Sequence, residues 1–140
     1  MTTNTQYPCG AITDVIIGAY YRTINTLGSI RGTPETAFRK KLATTLKKDG
    51  LRVQVDQSIE VRDGPQLIDV AHVEMVVEGL VVVCVKNVKH VTTKHLADGT
   101  YKMEAGGYPV GLMLNYGSKD RKPQRLTPPR KYYKGPWKCS

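Results

Sequence analysis

Apolar residues first recur at three- and four-residue steps: Ile16, Ile17, Tyr20, Ile24 and Leu27. That spacing marks one face of a helix. Thr13 offers a capping oxygen ahead of it and Gly28 can end it, so a helix is expected over residues 13–27. A second stripe, Phe38, Leu42 and Leu46, follows the loop "SIRGTPETAF". Thr33 is the expected cap, Pro34 the first helical position and Asp49-Gly50 the stop. The period then shortens to two. Leu51, Val53, Val55, Ile59 and Val61 alternate, "RDGP" turns, and 67–77 reads as a second strand. Glu78-Gly79 leads into a third strand over 80–86, in which six of seven residues are apolar or a thiol. Residues 92–105 form a weaker helix, with Asp98-Gly99 as an interruption. "YPVGLMLNY" (108–116) is the last strand.

The order is helix, helix, three strands, helix, strand. This is an α/β arrangement of the mixed α+β kind, with a central mixed sheet flanked by helices. The expected organisation is an N-terminal arm over 1–12, a domain over 13–117 and a tail over 118–140. The tail carries Pro123, Pro128, Pro129 and Pro136 and is expected to be irregular or extended.

Charge sharpens the division. The chain of 140 residues carries a net +9. Residues 118–140 hold eight Lys/Arg and one Asp, a net +7, which leaves +2 for residues 1–117. In "RKPQRLTPPRKYYKGPWK" the cations Arg121, Lys122, Arg125, Arg130, Lys131, Lys134 and Lys138 interleave with Tyr132, Tyr133 and Trp137. Cations neutralise phosphates and rings stack on unpaired bases, so nucleic acid is one expected partner. An acidic protein surface, with the rings as anchors, is a second. A solubilising tail is a third reading.

Other classes recede. No apolar run is long enough to cross a membrane as a helix, and Met1 to Gly10 lacks the basic start and apolar stretch of a signal peptide. Cys9, Cys84 and Cys139 are far apart, and His72, His90 and His95 lack zinc-finger spacing. An odd cysteine count points to a reducing, intracellular compartment. A Cys9–Cys139 staple is the alternative.

Four stretches in order, "LGSIRGTPETAF", "KKDGLRVQVDQSIEV", "VEGLVVVCVKNV" and "YPVGLMLNYGS", resemble the landmarks of the GxxExxY family, a branch of the PD-(D/E)XK nuclease-like superfamily. The resemblance spans about residues 12–117 and implies a PD-(D/E)XK-like core. The glycine, glutamate and tyrosine of the family name fall on Gly32, Glu35 and Phe38, so the ring has lost its hydroxyl. The family's strand acid falls on Glu74, where Asp is usual. Its acid-x-lysine falls on Cys84 and Lys86, with a thiol where Glu is usual. A family histidine falls on His95, a glutamine on Asp98, and a terminal Asn-Phe-Gly on Asn115-Tyr116-Gly117.

In an intact site of this kind, carboxylates hold Mg²⁺ or Mn²⁺ and the ion activates water, while the lysine offsets charge on the phosphate. By the resemblance, the catalytic positions here are Glu35, Glu74, Cys84, Lys86 and Asp98. Glu35 and Glu74 are the candidate metal ligands. Thiol suits softer metals, so the expected outcome is a degenerate site with no cofactor, acting as a nucleic-acid-binding or structural component of a larger assembly. The alternatives are an active Mg²⁺-dependent phosphodiesterase and a scaffold of virion type.

Other readings of these residues stand beside that one. Cys84 can be a small core residue, or a nucleophile if His72 or His95 approaches. Glu35 can serve its helix dipole, and Glu74 can pair with Lys86. Strand register discriminates. A two-residue turn at Glu78-Gly79 puts Glu74 and Cys84 on opposite faces, and a three-residue turn through Leu80 puts them opposite each other.

Overall fold

A computed structural model of the chain describes residues 9–27 and 32–126. Its elements are α1 (Gly10–Thr26), α2 (Glu35–Lys48), β1 (Val53–Asp63), β2 (Gln66–Val77), β3 (Val81–Lys86), α3 (Thr93–Ala105), β4 (Val110–Asn115) and β5 (Gln124–Leu126). The five strands form one sheet in sequence order. β3 and β4 run parallel, joined by α3, and every other neighbouring pair is antiparallel.

The central strands explain the layering. β3 is buried along Val81–Val85 because it is covered on both faces. Val81, Val83 and Val85 face α1 and α2, joining Ile16, Tyr20, Phe38, Leu42 and Leu46. Val82 and Cys84 face α3, joining Met103, Met113 and Leu126. Phe38, Leu42 and Leu46 are fully buried. Each such side chain contributes about 1.5–3 kcal/mol, so the stripe holds α2 to the sheet despite its many lysines.

The turn between β2 and β3 is the three-residue one. Val77 pairs with Val81 and Val76 with Val82. Glu78 and Gly79 both take positive φ, and the Leu80 N–H donates to the Val77 carbonyl at 3.0 Å. The β2–β3 ladder ends at Val76–Val82, short of Glu74. β2 also changes faces near this point. Met75 and Val77 pack toward α1 and α2, whereas Val73 and Val76 pack toward α3. The partner strand twists there too: between the pairs Val55–Met75 and Gln57–Val73, Asp56 has φ of 53°. Asp tolerates that left-handed conformation better than most residues.

Several boundaries differ from the sequence expectation. α1 begins at Gly10, and Thr13 is buried inside it, its hydroxyl donating to the Gly10 carbonyl at 3.1 Å. Gly28 lies outside the described residues. Thr33 does not cap α2. Pro34 holds that position in extended conformation with no side-chain cap, and the Thr33 carbonyl accepts from Asn87 and Tyr116 instead. Asp98-Gly99 does not interrupt α3. The helix starts on a reciprocal cap in which Thr92 and His95 each accept from the other's backbone N–H. Gly99 is where it packs closest to the sheet: a Cβ there would lie 2.6 Å from Leu126 Cδ1.

The start of the basic tail is also more ordered than expected. Gln124–Leu126 add a fifth strand to β4, and Leu126 is buried. Arg125 reaches back to Thr13 and Asp14 on α1, 3.3 Å from the Asp14 carboxylate. The Tyr20 hydroxyl donates to the Arg121 carbonyl at 2.9 Å. Cys84 is a free thiol, and Cys9 is disulfide-bonded. Among the described residues no helix is long and apolar enough to cross a membrane.

Candidate functional site

The site forms where the end of β3 meets β2, α2 and α3. Strand parity puts Cys84 and Lys86 on the face toward α3. Because position 99 is glycine, α3 comes close enough that a Cβ there would lie 3.5 Å from the Cys84 sulfur. One turn of that helix carries Asp98 and Lys102, which pair at 3.0 Å. Asp98 precedes Lys102 by four residues, the favourable order for a helical ion pair.

Burial dominates the chemistry of Cys84. It pushes the thiol pKa up to about 11. Lys102 and Lys86 pull it down and Glu74 and Asp98 push it up, but desolvation outweighs all four. The thiol of the metal-free chain is therefore protonated near neutrality. No histidine activates it. The His72 ring is exposed and lies 3.4 Å from Asp56, and His95 is committed to its helix cap.

Glu74 does not pair with Lys86. Its carboxylate meets the guanidinium of Arg39 at 3.5 Å, with both side chains about four-fifths buried. The twist at Glu74 explains this choice, since it turns the side chain toward α2 while its charge is still felt at Cys84. Lys86 is half-buried and has no carboxylate within ion-pair distance among the described residues. Glu35 opens α2, where its charge suits the helix dipole. Its carboxylate also accepts the Asn87 backbone N–H at 2.9 Å, immediately after Lys86.

Behind the site, Phe38 stacks flat on Tyr116 with ring centres 4.2 Å apart, and it meets Tyr20 edge-on at 5.9 Å. Beside Phe38, the Tyr116 hydroxyl donates to the Thr33 carbonyl. Burial, with the nearby Glu35 charge, raises the Tyr116 pKa.

The sequence profile of the PD-(D/E)XK nuclease superfamily matches residues 10–126. The chain belongs to this superfamily. No curated protein and no solved structure gives a significant match. In this PD-(D/E)XK nuclease-superfamily chain the matched span takes in β5 and Arg125.

Superfamily members typically use a metal ion, so the donor set must be tested against one. It fits a hard divalent cation poorly. Such an ion wants several oxygen ligands. Cys84 presents a protonated sulfur, Glu74 is taken by Arg39, Asp98 by Lys102 and Glu35 by a backbone N–H. Among the described residues, no three of His, Cys, Asp and Glu come together as a metal-binding group.

Two site residues escaped the sequence reading, Arg39 and Lys102. Each had a legible signal, since each follows a candidate acid, Glu35 or Asp98, by four residues on a helix. Of the candidate binding residues of the tail, Arg121, Lys122 and Arg125 are described. Lys122 is exposed, whereas Arg125 is largely covered and bound to α1, so it serves packing before any ligand. Arg130, Lys131, Tyr132, Tyr133, Lys134, Trp137 and Lys138 lie outside the described residues.

Proposed function

We propose that this chain is a nucleic-acid-binding member of its superfamily that does not carry out metal-dependent cleavage. One observation carries the reading. The three acids at the site each meet a cation or N–H of the protein, and the fourth family position holds a protonated thiol. Arg39 and Lys102 thus offset the charge of Glu74 and Asp98 from within the protein.

What is left is a cationic site without a hydrolytic centre. Lys86 has no carboxylate partner among the described residues and would meet a phosphodiester oxygen. The net charge of +9 supplies attraction to a polyanion. The basic aromatic segment 130–138 would add contacts to phosphates and bases.

The test combines binding with cleavage. Purified full chain is titrated into labelled DNA and RNA oligonucleotides at several salt concentrations, then incubated with Mg²⁺ or Mn²⁺. Binding that weakens steeply with salt, with no metal-stimulated product, is expected. Metal-dependent cutting by the wild type, abolished in Lys86→Ala, would overturn the proposal.

A further inference from the structure

β3 and β4 run parallel and end side by side, with Lys86 paired to Asn115. Beyond their carboxyl ends the chain diverges into two loops. Between the loops lies a cleft of about 920 Å³ whose lining includes Lys89, His90, Val91, Met113, Lys119 and Lys122. Open α/β sheets place ligands at the carboxyl ends of parallel strands, where loops part. The volume suits a group of nucleotide size.

The cleft walls are pinned. Asn115, 5% exposed, accepts from the backbone N–H groups of Val88 at 3.0 Å and Gly117 at 3.1 Å. Its amide donates back to the Val88 carbonyl at 2.9 Å. One buried side chain thus ties the first residues of both loops together. The second loop is held further by the Tyr20 hydroxyl on the Arg121 carbonyl and by the pairing of Gln124 with Met113. Such fixed walls reduce the ordering cost of binding.

The electrostatics are one-sided. Lys89, Lys119 and Lys122 are exposed, and none meets a carboxylate among the described residues. Asp120 is the one acid on the lining, and its carboxylate accepts the Lys122 backbone N–H at 3.0 Å. The cations stand on both walls, and the partly exposed Val91 adds apolar surface between them. Cations on opposite walls suit a phosphate chain passing through more than one polyphosphate held at a single loop.

We propose that this cleft binds a single strand of nucleic acid, with phosphates on Lys89, Lys119 and Lys122 and a base against Val91. The inference rests on the nucleic-acid-binding reading above and assigns it a place outside the degenerate site.

The experiment is fluorescence anisotropy of labelled 15-nucleotide oligo-dT and oligo-U with the full chain, across a salt series. The comparison is a Lys89→Glu, Lys119→Glu, Lys122→Glu triple variant. All three positions are exposed, and its fold is checked by thermal melting. The expected result is at least tenfold weaker binding and a salt slope shallower by about 2, as three single-strand phosphate contacts would give. A second check is photocrosslinking of thio-substituted oligo-U, expected at peptides spanning 89–91 or 117–124. If wild type binds and the triple variant binds equally, the cleft assignment fails while the nucleic-acid reading stands. If wild type binds neither oligonucleotide, both fail. If a duplex competes as well as the single strand, the single-strand assignment fails.

Discussion

Arg39 of α2 holds its guanidinium 3.5 Å from the carboxylate of Glu74 on β2, with both side chains largely withdrawn from solvent. This pair ties a helix to the strand that carries the candidate acid. Removing one partner strands a charge that is costly to leave unpaired. Arg39→Met should cost about 1–3 kcal/mol in denaturant unfolding. Adding Glu74→Gln should recover part of that loss, so a double-mutant cycle reads the coupling directly. Equal losses that simply add would show that the pair does not matter.

The Cys84 thiol gives a pH dependence with a definite sign. Its folded pKa is raised from 9.0 to about 11. The folded state therefore holds the proton where the unfolded chain releases it. Stability is full below pH 9 and falls as pH rises toward 11, by about 2–3 kcal/mol from this group. Cys84→Val should flatten that limb of the curve. At pH 7.5 alkylation of Cys84 should be much slower in the native protein than in denaturant, as mass spectrometry would show.

Two glycines should respond with opposite sign. Gly117 follows Asn115 by two residues, and a Cβ there would lie 2.6 Å from the Val88 backbone nitrogen and 2.8 Å from the Asn87 carbonyl carbon. Backbone cannot yield cheaply, so Gly117→Ala should destabilise by about 1–3 kcal/mol. Gly18 is exposed within α1 with open space around it. Gly18→Ala should stabilise by about 0.5–1 kcal/mol through helix propensity. Thermal melts of the two variants decide both signs.

β5 is a strand of three residues, too short to hold itself. Leu126 and the Arg125 contacts with α1 fasten it. Arg125→Ala should cost about 1 kcal/mol overall. Its sharper signature is faster amide exchange across 124–126 with little change in β3.

The order of elements was readable from apolar spacing alone. The stripe Phe38–Leu42–Leu46 and the run Leu80–Val85 have no other good solution than a docked helix and a doubly covered strand. The caps were less legible. Thr13 and Thr33 have capping chemistry, but cap position depends on where the chain enters the helix, and Cys9 and Pro34 take those places. Gly99 was read as a breaker because propensity is local, yet close packing on Cys84 and Leu126 gives it a tertiary use.

What the sequence determined by itself is the set of chemical groups: a thiol two residues before a lysine, acids on three other elements, and an excess of cations toward the C-terminus. It also confined the register to two choices. Tertiary structure decided the partners. A three-residue turn set Val77 opposite Val81, but further along β2 the Glu74 carboxylate went to Arg39, and the α3 crossover brought Lys102 to the thiol. Ion pairing depends on distances of a few ångströms between residues far apart in the chain, and periodicity carries no such information.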